Sequence, residues 1–187
     1  MRKLKSIALA LVAVVTLSAT AQTKKIDASK SGINWVGKKV TGSHEGTINL
    51  QEGALIFKGK KLVGGNFTVN MTTINTTDLE GKGKANLDGH LKSDDFFGVE
   101  KYPTATLVFK SIGEKSEGIY NVTADLTIKG KTESIKFEIT VSGNTATTNL
   151  KVDRTKYDIK YGSGSFFSDL GDKTIYDDFE LSVKLVF

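Results

Sequence analysis

Few residues in this 187-residue chain have the types and spacing that chemistry requires, and each is better suited to structure. His44 lies beside Glu45, and His90 follows Asp88, so an imidazole and a carboxylate could converge on a metal. Both histidines are nevertheless lone, without the paired spacing that a helix or hairpin metal site uses. Structural hydrogen bonding near one end of the fold is the expectation for both, with metal binding as the rival. Asp94-Asp95 and Asp177-Asp178 are adjacent in sequence. Neighbours on a strand point to opposite faces, so neither pair can share a site as glycosidase carboxylates do. Gly162-Ser163-Gly164-Ser165 lacks the following helix that would strain and expose a nucleophilic serine. The chain has no cysteine, which excludes disulfides, metal thiolates and thiol catalysis together. No glycine-rich phosphate loop is present. A protein that is not an enzyme, with no catalytic residue, metal or resident cofactor, is therefore expected.

The elements that would position these residues are mostly strands. Tyr120, Val122, Ala124, Leu126 and Ile128 alternate with polar residues. After a turn at Lys129-Gly130-Lys131, Ile135, Phe137, Ile139 and Val141 do the same. Gly143-Asn144 turns the chain again, Leu150 and Val152 continue, and Phe179, Leu181, Val183, Leu185 and Phe187 close it. Period two over so many segments means strands with one dry face and one wet face. Earlier strands are read at Ile33–Val36, Gly46–Leu50, Ala54–Phe57 and Phe67–Met71. The sum is a mainly β fold, an antiparallel β-barrel of about eight strands, because closure removes exposed sheet edges.

One long interruption, Thr72 to Pro103, supplies a short helical crossover. Lys84–Lys92 reads as its helix. Thr77 and Glu80 have capping-box spacing, but Gly81 and Gly83 follow at once, which favours loop there. Ser93 is expected to cap the next turn by accepting an N–H bond, with Asp94-Asp95 as helix-start charge. Phe96 and Phe97 should anchor that turn, and Pro103, the only proline, should release the strand Ala105–Phe109. The Gly162–Ser165 loop carries Phe166-Phe167 as an apolar tip.

Residues 1–21 read as a secretory signal peptide. Arg2, Lys3 and Lys5 precede an apolar run from Ile7 to Leu17, and Ala19-Thr20-Ala21 offers a small-x-small cleavage site. Export to the periplasm or medium follows as an expectation, with one domain over residues 22–187. The leader holds three of the cations that give the whole chain +5, leaving +2 for the rest. Its lysines are scattered and Arg154 is the one arginine after the leader, so no basic face for nucleic acid is present.

Trp35-Val36-Gly37-Lys38, His44-Glu45-Gly46, His90-Leu91-Lys92-Ser93, Asp95-Phe96-Phe97, Tyr102-Pro103-Thr104-Ala105 and Leu126-Thr127-Ile128-Lys129-Gly130 occur in this order. Together they resemble the YceI-like family of secreted bacterial proteins, over about Ile26 to Phe187. Gly98 departs from the acidic residue frequent there, which should alter a loop and leave the fold. The resemblance implies a lipocalin-like barrel that binds a long isoprenoid chain, a polyprenyl lipid or quinone tail, in its interior.

Alternation alone leaves a simply packed core open; the resemblance favours a ligand. Strands of about ten residues span roughly 33 Å, and each five-carbon unit would gain about 4 kcal/mol gross on burial. The wall is then expected from Trp35, Phe67, Val69, Leu107, Phe109 and Tyr120, together with Val122, Leu126, Phe137, Ile139, Leu181 and Val183. Phe97 would stand near a mouth. Transient membrane contact for lipid exchange belongs to this reading, and pairing of two chains is left open. Two rivals remain: an outer-membrane β-barrel, for which an alternating last strand ending in Phe187 speaks, and a packed barrel acting as a stress or interaction protein without ligand.

Overall fold

The computed structural model describes residues 20–187; most of the expected signal peptide, residues 1–19, lies outside them. Among the described residues nine strands form one antiparallel sheet: β1 (Ala21–Lys25), β2 (Gly32–Lys39), β3 (Gly42–Lys58), β4 (Lys61–Thr76), β5 (Thr104–Ser116), β6 (Ile119–Ile128), β7 (Lys131–Ser142), β8 (Thr145–Asp153) and β9 (Ile175–Val186). Neighbours run β2-β9-β8-β7-β6-β5-β4, and a β3–β4 ladder beside β2–β3 closes the ring. Eight strands make the barrel, and β1 extends it by pairing with the far half of β3.

Two expected strands are one. Gly46–Leu50 and Ala54–Phe57 belong to the continuous β3, which pairs with β2 up to Ile48 and with β1 from Ala54. Register shifts against β4 at Thr47/Asn49 and Leu50/Glu52 bend it between these partners, as bulges do. The register shift at Leu50/Glu52 breaks period two at Gln51-Glu52, which is why alternation separates the two segments. β4 likewise continues past Met71 to Thr76. Its polar end is held by side chains: the Asn49 N–H donates to Thr73 Oγ1 at 2.9 Å.

The crossover begins with α1 (Gly81–Lys92), three residues earlier than expected and through both glycines. Glu80 stands at the N-cap without a side-chain bond, so no capping box forms. The helix is fixed instead by Lys84 Nζ, which donates to Asn75 Oδ1 at 2.6 Å, the Thr76 carbonyl at 2.6 Å and Asp88 Oδ2 at 2.8 Å. Asp88 Oδ1 accepts the Thr76 N–H at 2.8 Å. These bonds stitch α1 to the end of β4.

Ser93 is the C-cap of α1, and its hydroxyl does not cap the following turn as expected. Its hydroxyl donates to the His90 carbonyl at 2.8 Å, while its own carbonyl accepts from the Phe96 and Gly98 N–H groups. Asp94-Asp95 open a turn and not a helix, and Asp94 pairs with Lys101 at 2.9 Å. Gly98 takes φ +57°, a left-handed conformation that explains glycine at this position. Phe96 and Phe97 are buried, and the Pro103 carbonyl accepts the Met71 N–H before β5 begins. The later strands fall where alternation put them. The β6–β7 turn carries positive φ at Lys129 and Gly130, as a tight hairpin requires.

The close packing of Trp35 gives a stability test. A Cβ at Gly46 would collide with the Asn75 carbonyl and come within 2.5 Å of the Trp35 ring. Gly46→Val should cost roughly 2–4 kcal/mol in urea unfolding; wild-type stability would show that this approach is looser than described. A second test concerns α1. Burial pushes the Asp88 carboxyl up, but the Lys84 ammonium and the Thr76 N–H outweigh it and hold its pKa below the ordinary value. A folded-state pKa below the unfolded one adds stability above the unfolded pKa, and acidification removes it. Asp88→Asn should therefore be less stable at neutral pH and converge with wild type below about pH 4. Parallel stability curves across that range would refute the linkage.

Candidate apolar binding cavity

The dry faces of the strands enclose a cavity of about 170 Å³. Trp35, Phe67, Val69, Phe97, Leu107, Phe109, Leu126, Phe137, Ile139, Leu181 and Val183 all line it. Tyr120 and Val122 do not. They share the inward face with their ladder partners Ile139 and Phe137 and are buried, but they do not border the cavity. Alternation gives the face of a residue, not its depth, so it could not separate these two from the wall.

Sequence reasoning passed over other wall residues. Ile33, Ile48, Leu50 and Leu150 line the cavity and sit at alternating positions, so the same signal could have found them. Met71 shares the face of Phe67 and Val69 in the expected strand Phe67–Met71 and could have been found the same way, Ile74 was hidden by the polar residues around it, and Leu91 and Phe96 come from the crossover. The wall is strongly aromatic. Phe67, Phe109 and Phe137 form a chain of rings with centroids 5.6 and 5.8 Å apart. At the crossover end Phe97 packs on Phe96 at 5.2 Å and on Phe179 at 6.3 Å.

The polar residues bordering the cavity are few, chiefly Thr148, Arg154, Lys38, Tyr176 and Asp178, and the charged ends of Lys38 and Asp178 are paired outside it with Glu180 and Lys151. Arg154, 2% exposed, is the one buried cation among the described residues. Its guanidinium donates to the carbonyls of Ile159 at 2.7 Å, Ile175 at 3.0 Å and Tyr176 at 3.1 Å. Asp177 lies 3.7 Å away and the Phe96 ring 5.6 Å away. Burial pulls its pKa down while Asp177 and Asp153 oppose that pull, and a guanidinium stays charged regardless. With its donors committed to backbone, Arg154 ties the segment after β8 to the start of β9. No sequence signal pointed to this role.

The histidines go elsewhere. His44 Nδ1 bonds Asp78 Oδ2 at 2.8 Å, and the Glu45 N–H donates to Asp78 Oδ1, which clamps β3 to the segment after β4. Burial raises the Asp78 pKa, but His44 and the Glu45 N–H outweigh it and leave it below the ordinary value. His90 stands edge-on to Tyr161 at 4.4 Å and to Phe96 at 5.7 Å. Asp88, its expected acid, is engaged by Lys84. Asp177 turns toward Arg154 and Asp178 toward Lys151, on opposite sides of β9. Ser163 is fully buried in its loop. What the cavity offers is dry surface and shape.

Known proteins match this architecture. A UPF0312 protein of Shewanella denitrificans is 34% identical over 90 residues, 48% of this chain and 45% of that protein. Protein YceI of Escherichia coli O157:H7 is 33% identical over 78 residues, 42% of this chain and 37% of its own length. The chain thus spans less than half the length of these curated relatives. Among solved structures, Burkholderia cenocepacia BcnA aligns with a TM-score of 0.67 at 25% identity, covering 87% of this chain and 99% of that one. A polyisoprenoid binding domain from Saccharophagus degradans, implicated in plant cell wall breakdown, aligns at 0.62 and 17%, covering 86% and 95%, and shares the fold. The model of the YceI-like domain matches residues 25–187, the whole barrel with its crossover and cavity: the chain belongs to the YceI-like family.

Proposed function

We propose that this protein is an exported carrier that holds one long isoprenoid chain, a polyprenyl lipid or a quinone tail, inside its barrel. The carrying observation is the nearly all-apolar cavity at the centre of a barrel whose outer face is charged. Lys110–Asp125, Lys115–Glu138, Lys151–Asp178 and Lys38–Glu180 pairs cover the outside. A lipid-facing barrel needs an apolar outer band, so this surface argues against the outer-membrane reading. The polyisoprenoid binding named for the Saccharophagus degradans domain supports the choice of ligand. The signal-peptide pattern in the sequence of residues 1–21 supports export to the periplasm or medium.

A cavity with few polar groups selects by length and shape. The gross gain from burying several isoprene units would exceed practical affinities, so ordering the chain must offset much of it. Such a lipid is almost insoluble as a monomer, which makes transient contact with a membrane the natural route of exchange. Phe166 and Phe167, half exposed on the loop that follows Arg154, suit such contact.

Mass spectrometry of an organic extract of the natively purified protein tests the proposal. A polyprenyl or quinone species at about one per chain is expected; clean extracts from fully folded protein would refute it. Phe137→Asp, which puts a charge on the cavity wall, should lose the lipid, while the outward Lys136→Asp should keep it. Equal lipid in both variants would refute the placement of the chain.

A further inference from the structure

The cavity is too small for the proposed tail as it stands. A dry cavity of about 150 Å³ takes one benzene-sized group, and this one holds about 170 Å³. A chain of several isoprene units must therefore widen the barrel somewhere, and the strand pairing differs sharply from place to place.

We propose that the seam between β7 and β8 is where the wall opens to admit the lipid chain, an inference that rests on the isoprenoid-carrier reading. These strands are paired only over Thr140–Ser142 against Thr145–Thr147. On its other side β7 pairs with β6 at ten positions, and β8 pairs with β9 at nine. If the register of Thr140 and Thr147 continued, Lys136 would stand opposite Lys151, but the strands part first. A single bond follows the last paired residues: Thr148 Oγ1 donates to the Glu138 carbonyl at 2.7 Å.

Beyond it the 3-10 turn Arg154–Tyr157 packs against β7. Tyr157 and Ile159 are buried here, yet the Tyr157 hydroxyl has no hydrogen-bond partner. Arg154 bonds this filler to the start of β9, whereas against β7 it rests on packing and a long Lys131–Asp158 pair of 3.8 Å. Both banks of the seam lead to the ligand space, since Phe137 and Ile139 on β7 and Thr148 and Leu150 on β8 line the cavity.

The β4–β5 ladder also stops early, at Asn66–Val108, but that gap is closed differently. Phe109 fills the space over Gly65, where a Cβ would come within 2.7 Å of the ring, and Lys61–Glu114 pairs outside at 2.9 Å. Parting β7 from β8 beyond Thr140–Thr147 breaks one side-chain bond and the long Lys131–Asp158 pair and slides packed side chains, whereas parting a full ladder breaks backbone bonds along its length. The least costly expansion is at the seam.

The absence of cysteine makes the test clean. Lys136→Cys with Lys151→Cys, bridged by a short reductant-cleavable bis-maleimide, locks the seam. Thr123→Cys with Lys136→Cys, ladder partners across β6–β7, is the control. Uptake by lipid-free protein is followed through Trp35, the single tryptophan and a wall residue. The probes are geranylgeraniol, with four isoprene units, and geraniol, with two. The locked seam should slow geranylgeraniol by at least about tenfold, slow geraniol much less, and recover on cleavage, while the control stays within about twofold of wild type. Geranylgeraniol uptake at the wild-type rate by fully bridged protein overturns the proposal. If unmodified protein takes up neither alcohol, the carrier reading falls and takes the seam's role with it.

Discussion

Closure of the sheet by the β3–β4 ladder is the constraint on which the rest depends. Period-two alternation gives each strand a dry face, but only a closed ring turns all those faces toward one another. β3 makes closure possible by bending: its bulges let seventeen residues serve β2, β4 and β1 in turn. Without cysteine the ring is held by backbone ladders and packing alone. Gly46, Gly53 and Gly65 show how tight that packing is, since each leaves room for an aromatic ring, of Trp35, Phe67 and Phe109 respectively.

The polar groups near the cavity are arranged so that they do not speak to its contents. Arg154 would be costly to bury alone, but three carbonyls accept its hydrogen bonds and the Asp177 carboxylate, 3.7 Å away, balances its charge. His90 packs by its ring edges, and Lys84 with Asp88 spends its bonds on fixing α1. The crossover then presents Leu91, Phe96 and Phe97 to the interior. A ligand entering this space meets hydrocarbon and aromatic faces, which suits a long chain with repeated branching methyls.

Much of this was legible in the sequence because a repeated physical signal carried it. Alternation located β6 to β9 and most of the wall, and the order of the short motifs gave the family. Where the signal was broken by physics, the reading broke too. Bulges at Leu50/Glu52 split β3, and polar residues held by side-chain bonds hid the end of β4. Gly81 and Gly83 weakened the helix signal, yet tertiary bonds from Lys84 and Asp88 overrode propensity. Whether an inward residue borders the cavity, which separates Val122 from its ladder partner Phe137, is not carried by alternation, which gives only the face. The role of Arg154 depends on the carbonyls of Ile175 and Tyr176, distant in sequence, which no local pattern announces.

The carrier account makes one demand above the others: the chain must lie in the cavity and not on the surface or in the packed end. Methyl-labelled protein loaded with geranylgeraniol tests this through intermolecular nuclear Overhauser effects. The account predicts contacts from the isoprenoid protons to methyls of Ile48, Leu126 and Leu181, which line the cavity, and none to Val122, which does not border it. Contacts confined to outward methyls such as Val40 and Val63, with the interior silent, would contradict it.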